Sequence, residues 1–453
     1  MTDSLPLHVK RTLTLGLPLI GSHLAQMGLH VTDTVMLGWY GVEELAAVVL
    51  AASMFFSVFL LGSGFAIGVM GTISAALGRE DDVEMRRSAR MALWLSILYG
   101  ALAYPLFWAS GPILISWGQD PHVSALAQEY LRIAGLGLIP ALIVMVLKSY
   151  LAANERTQIV LWITLIGVGI NAVINYALIF GAWGAPEMGV RGAAAASLAI
   201  QCLTALAMAI YAGWLPALRH VHLFQRFWRP DWQAFATVFK LGVPIGLTGL
   251  AESGLFQASA LMMGWVGTVE LAAHGIALEI TALSFMVHLG LSNAATVRVG
   301  RAHGRKDRTA LRRAALAALV LSGVFALAMV ATFLIVPEPM VALFLETTNP
   351  DAARIITFGA ALLAVAALFQ VTDAMQALAL GLLRGVGDTH APMWIATISY
   401  WLIGVPASYL LAFKMGLGGP GIWYGLVIGL SVAGIALMGR FWFRHGGIGA
   451  HKS

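Results

Sequence analysis

Long apolar runs separated by short polar stretches fill this chain from end to end. Twelve runs stand out, at approximately 13–38, 45–77, 91–117, 126–152, 158–181, 192–215, 236–265, 270–298, 313–336, 355–382, 392–414 and 420–441. A bilayer-spanning helix needs roughly 20 apolar residues. The pattern therefore predicts an all-α membrane protein with twelve transmembrane helices, the longer ones tilted or reaching beyond the hydrocarbon. Residues 1–12 are polar and the first run is full length, so no cleavable signal is expected. Many of the 49 glycines and 16 prolines fall inside runs. Membrane helices tolerate both, through close packing and kinks.

Composition agrees. Hydrophobic residues make up 59% of the chain and charged residues 11%, against about 25% charged in soluble domains. Mean hydropathy is +0.82. The one cysteine, Cys202, rules out an intramolecular disulfide framework. A net charge of +5 could point to nucleic acid, but its placement argues otherwise. Apart from Arg132, Arg191, Arg354 and Lys414, every Lys and Arg falls on the side of the N terminus or at helix ends facing it. The opposite loops carry Glu43, Glu44, Asp120, Glu187, Glu270, Glu346 and Asp351. This asymmetry predicts cytoplasmic termini. The basic clusters read as topology signals and lipid headgroup contacts, with no nucleic-acid partner.

Four carboxylates interrupt the apolar runs: Asp33, Glu252, Glu279 and Asp373. An acid at the bilayer centre costs at least ~2.5–3.5 kcal/mol on insertion scales, and such residues usually line a polar path. Asp and Glu are too short to snorkel from mid-span. Asp33, Glu252 and Asp373 are therefore read as functional, the alternative being structural acids bonded to neighbouring backbone or hydroxyl groups.

The chain also repeats itself. At an offset of 226, Leu15-Gly16-x-Pro18 meets Leu241-Gly242-x-Pro244, and Met36-x-Gly38-Trp39-x-Gly41 meets Met262-x-Gly264-Trp265-x-Gly267. Polar loop residues keep the register: Glu44 meets Glu270, Gly78-Arg79 meets Gly304-Arg305, and Arg86-Arg87 meets Arg312-Arg313. Six spans per half put both halves in from the same side, related by a pseudo-two-fold along the membrane normal. The expected division is an N lobe at 1–214, a connector at 215–235 and a C lobe at 236–453, with substrate held between lobes that rock. Within the repeat Asp33 corresponds to Ser259 and Glu252 to Gln26, so each first helix carries one acid at a different depth.

Several segments resemble the multidrug and toxic compound extrusion (MATE) family, in its NorM-type branch. They are Gly16-x-Pro18, Thr32-Asp33-Thr34-Val35-Met36-x-Gly38, Ala251-Glu252, Val297-Arg298-Val299-Gly300, Thr372-Asp373 and Leu383-Arg384-Gly385-x-x-Asp388-Thr389. The likeness runs from about residue 10 to 443. It implies a Na⁺- or H⁺-coupled antiporter, monomeric and without a cofactor, in the bacterial inner membrane, exporting bulky, often cationic and aromatic drugs or toxins. By the same resemblance, Glu252 and Asp373 form a C-lobe cation site, with Na⁺ as one occupant. Asp33 works with Asn171 and Asn175, which are i and i+4 on one helical face, and Ser197 is a further oxygen ligand. Helix–helix hydrogen bonding is the alternative role for the two asparagines.

Two positions depart from the branch. Glu279 stands where relatives more often have asparagine, at a depth within ~5 Å of Glu252 across a helical hairpin. It is expected to be a third C-lobe acid and to favour proton coupling. Phe285 stands where relatives can place an aromatic hydroxyl, leaving a cation–π face. Pro18 is a candidate kink in the first helix, or else a helix-entry proline.

His23, His30, His274 and His288 lack metal-ligand spacing and are read as packing or hydrogen-bonding groups. Met27, Met36, Phe55, Phe56, Met262, Met263, Phe285 and Met286 are read as lipid contact or packing at ordinary helical spacing, the alternative being an adaptable apolar pocket. No phosphate-binding loop or nucleophile constellation is present in the sequence, which reads as a non-enzyme. The alternative function is a lipid-linked oligosaccharide flippase of the same superfamily. That reading wants a cationic cavity, whereas no Lys or Arg is expected deep in a span.

Overall fold

The computed structural model describes residues 4–214, 218–345 and 350–446; Glu346, used above for orientation, lies outside them. The chain is helical throughout, with no strand among the described residues. Its first half comprises α1 (Leu5–Tyr40), α2 (Val42–Gly78), α3 (Asp82–Trp108), α4 (Ser110–Ser116), α5 (Pro121–Ala134), α6 (Leu138–Ala153), α7 (Thr157–Phe180) and α8 (Val190–Trp214). After the connector come α9 (Trp232–Val266), α10 (Thr268–Gly304), α11 (Arg308–Ile335), α12 (Pro337–Ala342) and α13 (Ala352–Gly385). The last span is preceded by a composite segment, α14 (His390–Thr397) and α15 (Val405–Tyr409) joined by π-helical turns, and α16 (Gly418–Arg444) ends the fold.

Eleven helices among the described residues are long and apolar enough to cross a membrane. α1 falls outside that set although it is 36 residues long. His23, Gln26, His30 and Asp33 dilute its apolar character, and those polar positions are where the chemistry lies. Local signals set the helix starts. Asp81 accepts from the Glu84 amide at the start of α3, and Asp307 accepts from Ala310 at the start of α11. Each satisfies amides that a first helical turn leaves without partners.

The chain forms two compact units, Gly21–Gly246 and Met1–Ile20 with Leu247–Ser453. The division falls inside α1 and α9 rather than in the connector. In the first unit the start of α9 lies on α2: a Cβ on Gly64 would fall 2.2 Å from the Gly242 carbonyl oxygen and 2.6 Å from the Gly246 nitrogen. In the second unit the start of α1 lies on α10, where a Cβ on Gly290 would fall 2.8 Å from the Ile20 nitrogen. Gly64 and Gly290 are repeat equivalents, so one backbone contact is made twice. Such approaches need a residue without a side chain and let helices associate by van der Waals packing alone. Pro18 and Pro244 both lie inside their helices, two residues before the boundary between units. Pro18 is thus no helix-entry residue; it removes one i→i−4 hydrogen bond from the middle of a continuous helix.

Candidate functional site

In the unit Gly21–Gly246, Asp33 hangs from α1 and is 8% exposed. Its Oδ1 accepts from Asn171 Nδ2 at 2.9 Å and from Asn175 Nδ2; its Oδ2 accepts from Ser197 Oγ at 3.1 Å. The i,i+4 spacing on α7 stacks both amides on one face, and α8 supplies the hydroxyl from the other side. Tyr130 of α5 is buried beside Ser197 and within electrostatic range of Asp33. The carbonyl oxygens of Asn171 and Asn175 are buried with no donor. A carboxylate that accepts three hydrogen bonds, with two spare amide oxygens next to it, is a polar centre that a proton or small cation can neutralise.

In the other unit, Glu252 of α9 faces α13, which carries Asp373, Gln376 and Arg384. Gln376 is within hydrogen-bonding reach of Glu252, and the charges of Arg384 and Asp373 act on it. Asp373 and Gln376 are almost fully buried, and Gln376 Nε2 donates to the Tyr400 hydroxyl at 2.5 Å. Tyr400 lies in the π-helical turn Ile398–Gly404. The next residue, Trp401, donates its indole N–H to the Ala251 carbonyl at 3.1 Å, immediately before Glu252. π-Turns recur at functional sites because the extra residue re-aims side chains. Asp373 Oδ1 and Gln376 Oε1 have no donor. This group therefore holds two carboxyls and two buried acceptors without a donor, with the Arg384 charge acting on it from farther along α13.

One turn before Asp373, a second polar layer crosses the unit. Ser284 Oγ donates to Gln370 Oε1 at 2.7 Å, His288 lies within hydrogen-bonding reach of Gln370, and His288 Nδ1 and Ser322 Oγ are 2.8 Å apart. His274 lies between Ser259, at 3.3 Å from its Nε2, and the Trp423 indole N–H, which donates to its Nδ1 at 3.1 Å. Both buried histidines are thus hydrogen-bonded core groups. The repeat position of Asp33 holds a serine bonded to one of them.

The structure does not bring every sequence candidate together. Glu279 lies on the side of α10 opposite the buried stripe of Ala277, Thr281, Ser284 and His288, and is half-exposed. No hydrogen bond or ion pair reaches it among the described residues, and the charges that act on Glu252 come from α13. The depth argument located it along α10 but not around it. Phe285 is half-buried and makes no ring contact among the described residues. The expectation that no basic side chain sits deep in a span is corrected at Lys148. This residue is 4% exposed, with its Nζ 3.5 Å from His23 Nδ1 and 3.4 Å from Gln26 Oε1. It lies only five residues from the end of α6.

Gln370, Gln376, Tyr400 and Arg384 were not singled out by sequence as site residues. The visible signal was a polar residue every third position along one α13 face: Gln370, Asp373, Gln376. Tyr400 gave none, because a π-turn is not legible in a run of apolar residues.

The MatE family model matches residues 18–177 and again 244–410, two stretches that begin 226 residues apart. The "Probable multidrug resistance protein NorM" of Rhizobium meliloti (strain 1021) is 46% identical over 97% of this chain and 94% of its own length. The protein of the same name from Agrobacterium fabrum (strain C58 / ATCC 33970) is 44% identical over 96% and 93%. Among solved structures, an outward-facing multidrug resistance MATE family transporter of the MOP superfamily aligns with a TM-score of 0.88 at 24% identity, covering 98% of this chain and 97% of that one. A eukaryotic MATE transporter aligns at 0.87 and 20% identity, over 98% and 97%.

Proposed function

The chain belongs to the MatE family and is a multi-pass multidrug efflux transporter rather than an enzyme, and we propose that it exports bulky, often cationic or aromatic compounds from the cytoplasm in exchange for Na⁺ or H⁺. The observation that carries this reading is the pair of polar centres, Asp33 with Asn171, Asn175 and Ser197, and Glu252 with Asp373, Gln376 and Arg384. An uncompensated charge inside a membrane protein is costly. A carboxylate there is neutralised by a proton, a metal cation or a cationic substrate, and mutual exclusion among these gives exchange rather than co-transport. Na⁺ or H⁺ is cargo in this scheme, and no resident cofactor is needed.

In the same proposal twelve spans form two six-helix lobes, with both termini in the cytoplasm of a bacterial cell and a monomer as the working unit. Pro18 and Pro244 let α1 and α9 bend when a centre changes charge.

Reconstituted vesicles with imposed Na⁺ and pH gradients test the coupling. Either gradient alone should drive dye or fluoroquinolone efflux in the wild type. Glu252→Gln and Asp373→Asn should remove gradient-driven efflux while insertion stays near normal. Full efflux in either variant would overturn the reading.

A further inference from the structure

From Leu218 onward, the connector between α8 and α9 is a built element rather than a loose linker. Leu218, Val221 and Leu223 are buried in the core of their unit. α3 holds the backbone from beneath. Arg86 donates to the Val221 carbonyl at 3.3 Å, Arg90 to those of Gln225 and Arg226 at 3.1 and 3.2 Å, and Trp94 to that of Phe227 at 2.9 Å. Arg87 closes the strap with a bidentate pair to Asp231. These contacts hold the backbone from which the outward side chains project.

Between this strap and the end of α8 lies a cavity of about 520 Å³, lined by Trp214, Arg219, His222, Phe224 and Gln225. Its charge is one-sided. Asp231, the connector's one carboxylate, is taken by Arg87, and His220 reaches Asp82. Arg219, Arg226 and Arg229 are exposed and have no carboxylate partner among the described residues. Three exposed indoles lie in the same stretch of chain: Trp214 at 78%, Trp228 at 73% and Trp232 at 66%. Trp214 ends one membrane-spanning helix and Trp232 begins another. Indoles favour the membrane–water interface, and guanidinium groups bind phosphate through a planar fork.

We propose that this cavity binds the headgroup phosphate of an anionic phospholipid, of the phosphatidylglycerol or cardiolipin class. Arg219 and His222 hold the phosphate, and Trp214 lies along the glycerol and upper acyl chain. The site is independent of what the protein transports. A soluble phosphate shares the anionic chemistry but makes no use of the indole rim.

The test is native mass spectrometry of the full-length protein released from nanodiscs that contain phosphatidylglycerol and phosphatidylcholine. The wild type should retain phosphatidylglycerol selectively. Arg219→Gln should lower that retention about fivefold, equivalent to ~1 kcal/mol for one basic residue at an anionic surface. Adding His222→Gln should lower it further, and Arg219→Lys should keep most of it. Inorganic phosphate and glycerol phosphate titrated into the detergent-solubilised protein should give no saturable binding at this site. Equal retention of both lipids overturns the proposal. So does unchanged retention in an Arg219→Gln variant that unfolds at the wild-type temperature, and so does phosphate binding that depends on Arg219.

Discussion

Gln376 gives its amide N–H to the Tyr400 hydroxyl and keeps a buried carbonyl oxygen free of any donor, one turn along α13 from Asp373. A hydrogen-bonded pair of this kind is asymmetric in its energetics. Removing one partner leaves the other unsatisfied at a cost of ~1–3 kcal/mol, whereas replacing both with apolar groups can be nearly neutral. Tyr400→Phe should therefore lower the unfolding temperature of the purified protein, and Tyr400→Phe with Gln376→Leu should recover most of it. Efflux should fail in the double variant, because Gln376 also faces Glu252. A double variant that transports normally would remove Gln376 from the site.

Asn175 is a test of how far Asp33 depends on its amides. Hydrogen bonds to a charged group contribute ~1.5–3 kcal/mol each. Asn175→Ala should weaken the apparent affinity for a cationic substrate by roughly 10- to 100-fold, the equivalent of that loss. Direct binding to the solubilised protein, followed by fluorescence, would measure it. Unchanged binding would leave the two asparagines a helix-packing role alone.

The strap across α3 predicts a pH response outside the membrane. The Arg87 guanidinium, hydrogen-bonded to Asp231, holds that carboxyl below the usual carboxylate range. The pairing therefore stabilises the fold above the pKa of an unpaired aspartate, about 4, and is lost as pH falls through the depressed value. Protease access to the connector should stay low at neutral pH and rise only in acid. In Asp231→Asn it should be raised at neutral pH already. Arg87 is more than a third exposed, so solvent screening keeps the gain modest. Equal cleavage of the variant and the wild type at neutral pH would show that the carbonyl contacts of Arg86 and Arg90 suffice.

Orientation can be read by chemistry. With exposed Cys202 replaced, Glu44→Cys and Asp351→Cys should react with an impermeant maleimide in cells whose outer membrane alone is permeabilised. Reaction only after the inner membrane is opened would reverse the assignment.

The helical class and the 226-residue repeat were legible in sequence, because each rests on spacing along the chain. The grouping of Asp33 with Asn171, Asn175 and Ser197, which lie on three helices, was implied by the family resemblance rather than by spacing. Asp373 and Glu252 were legible as acids in apolar surroundings. What surrounds them was not. Arg384 and Tyr400 reach the group through the end of α13 and through a π-turn, and neither leaves a periodic trace. Glu279 shows the opposite failure: an acid in a span, correct by composition, turned by its helical phase away from the buried stripe. Lys148 was hidden by its nearness to a helix end, where long side chains usually find water.

The glycine contacts also constrain how the protein is made. Gly64 rests on Gly242 and Gly246, residues that leave the ribosome more than a hundred positions later. The unit that begins at Gly21 therefore stays incomplete until the connector and the first turns of α9 have been synthesised. The second unit, in turn, needs residues made at the very start. Each half of the duplicated chain lends the other the opening of its first helix. Cutting the gene inside the connector would give two fragments, each short of a helix segment that only the other carries, and they should accumulate only when produced together.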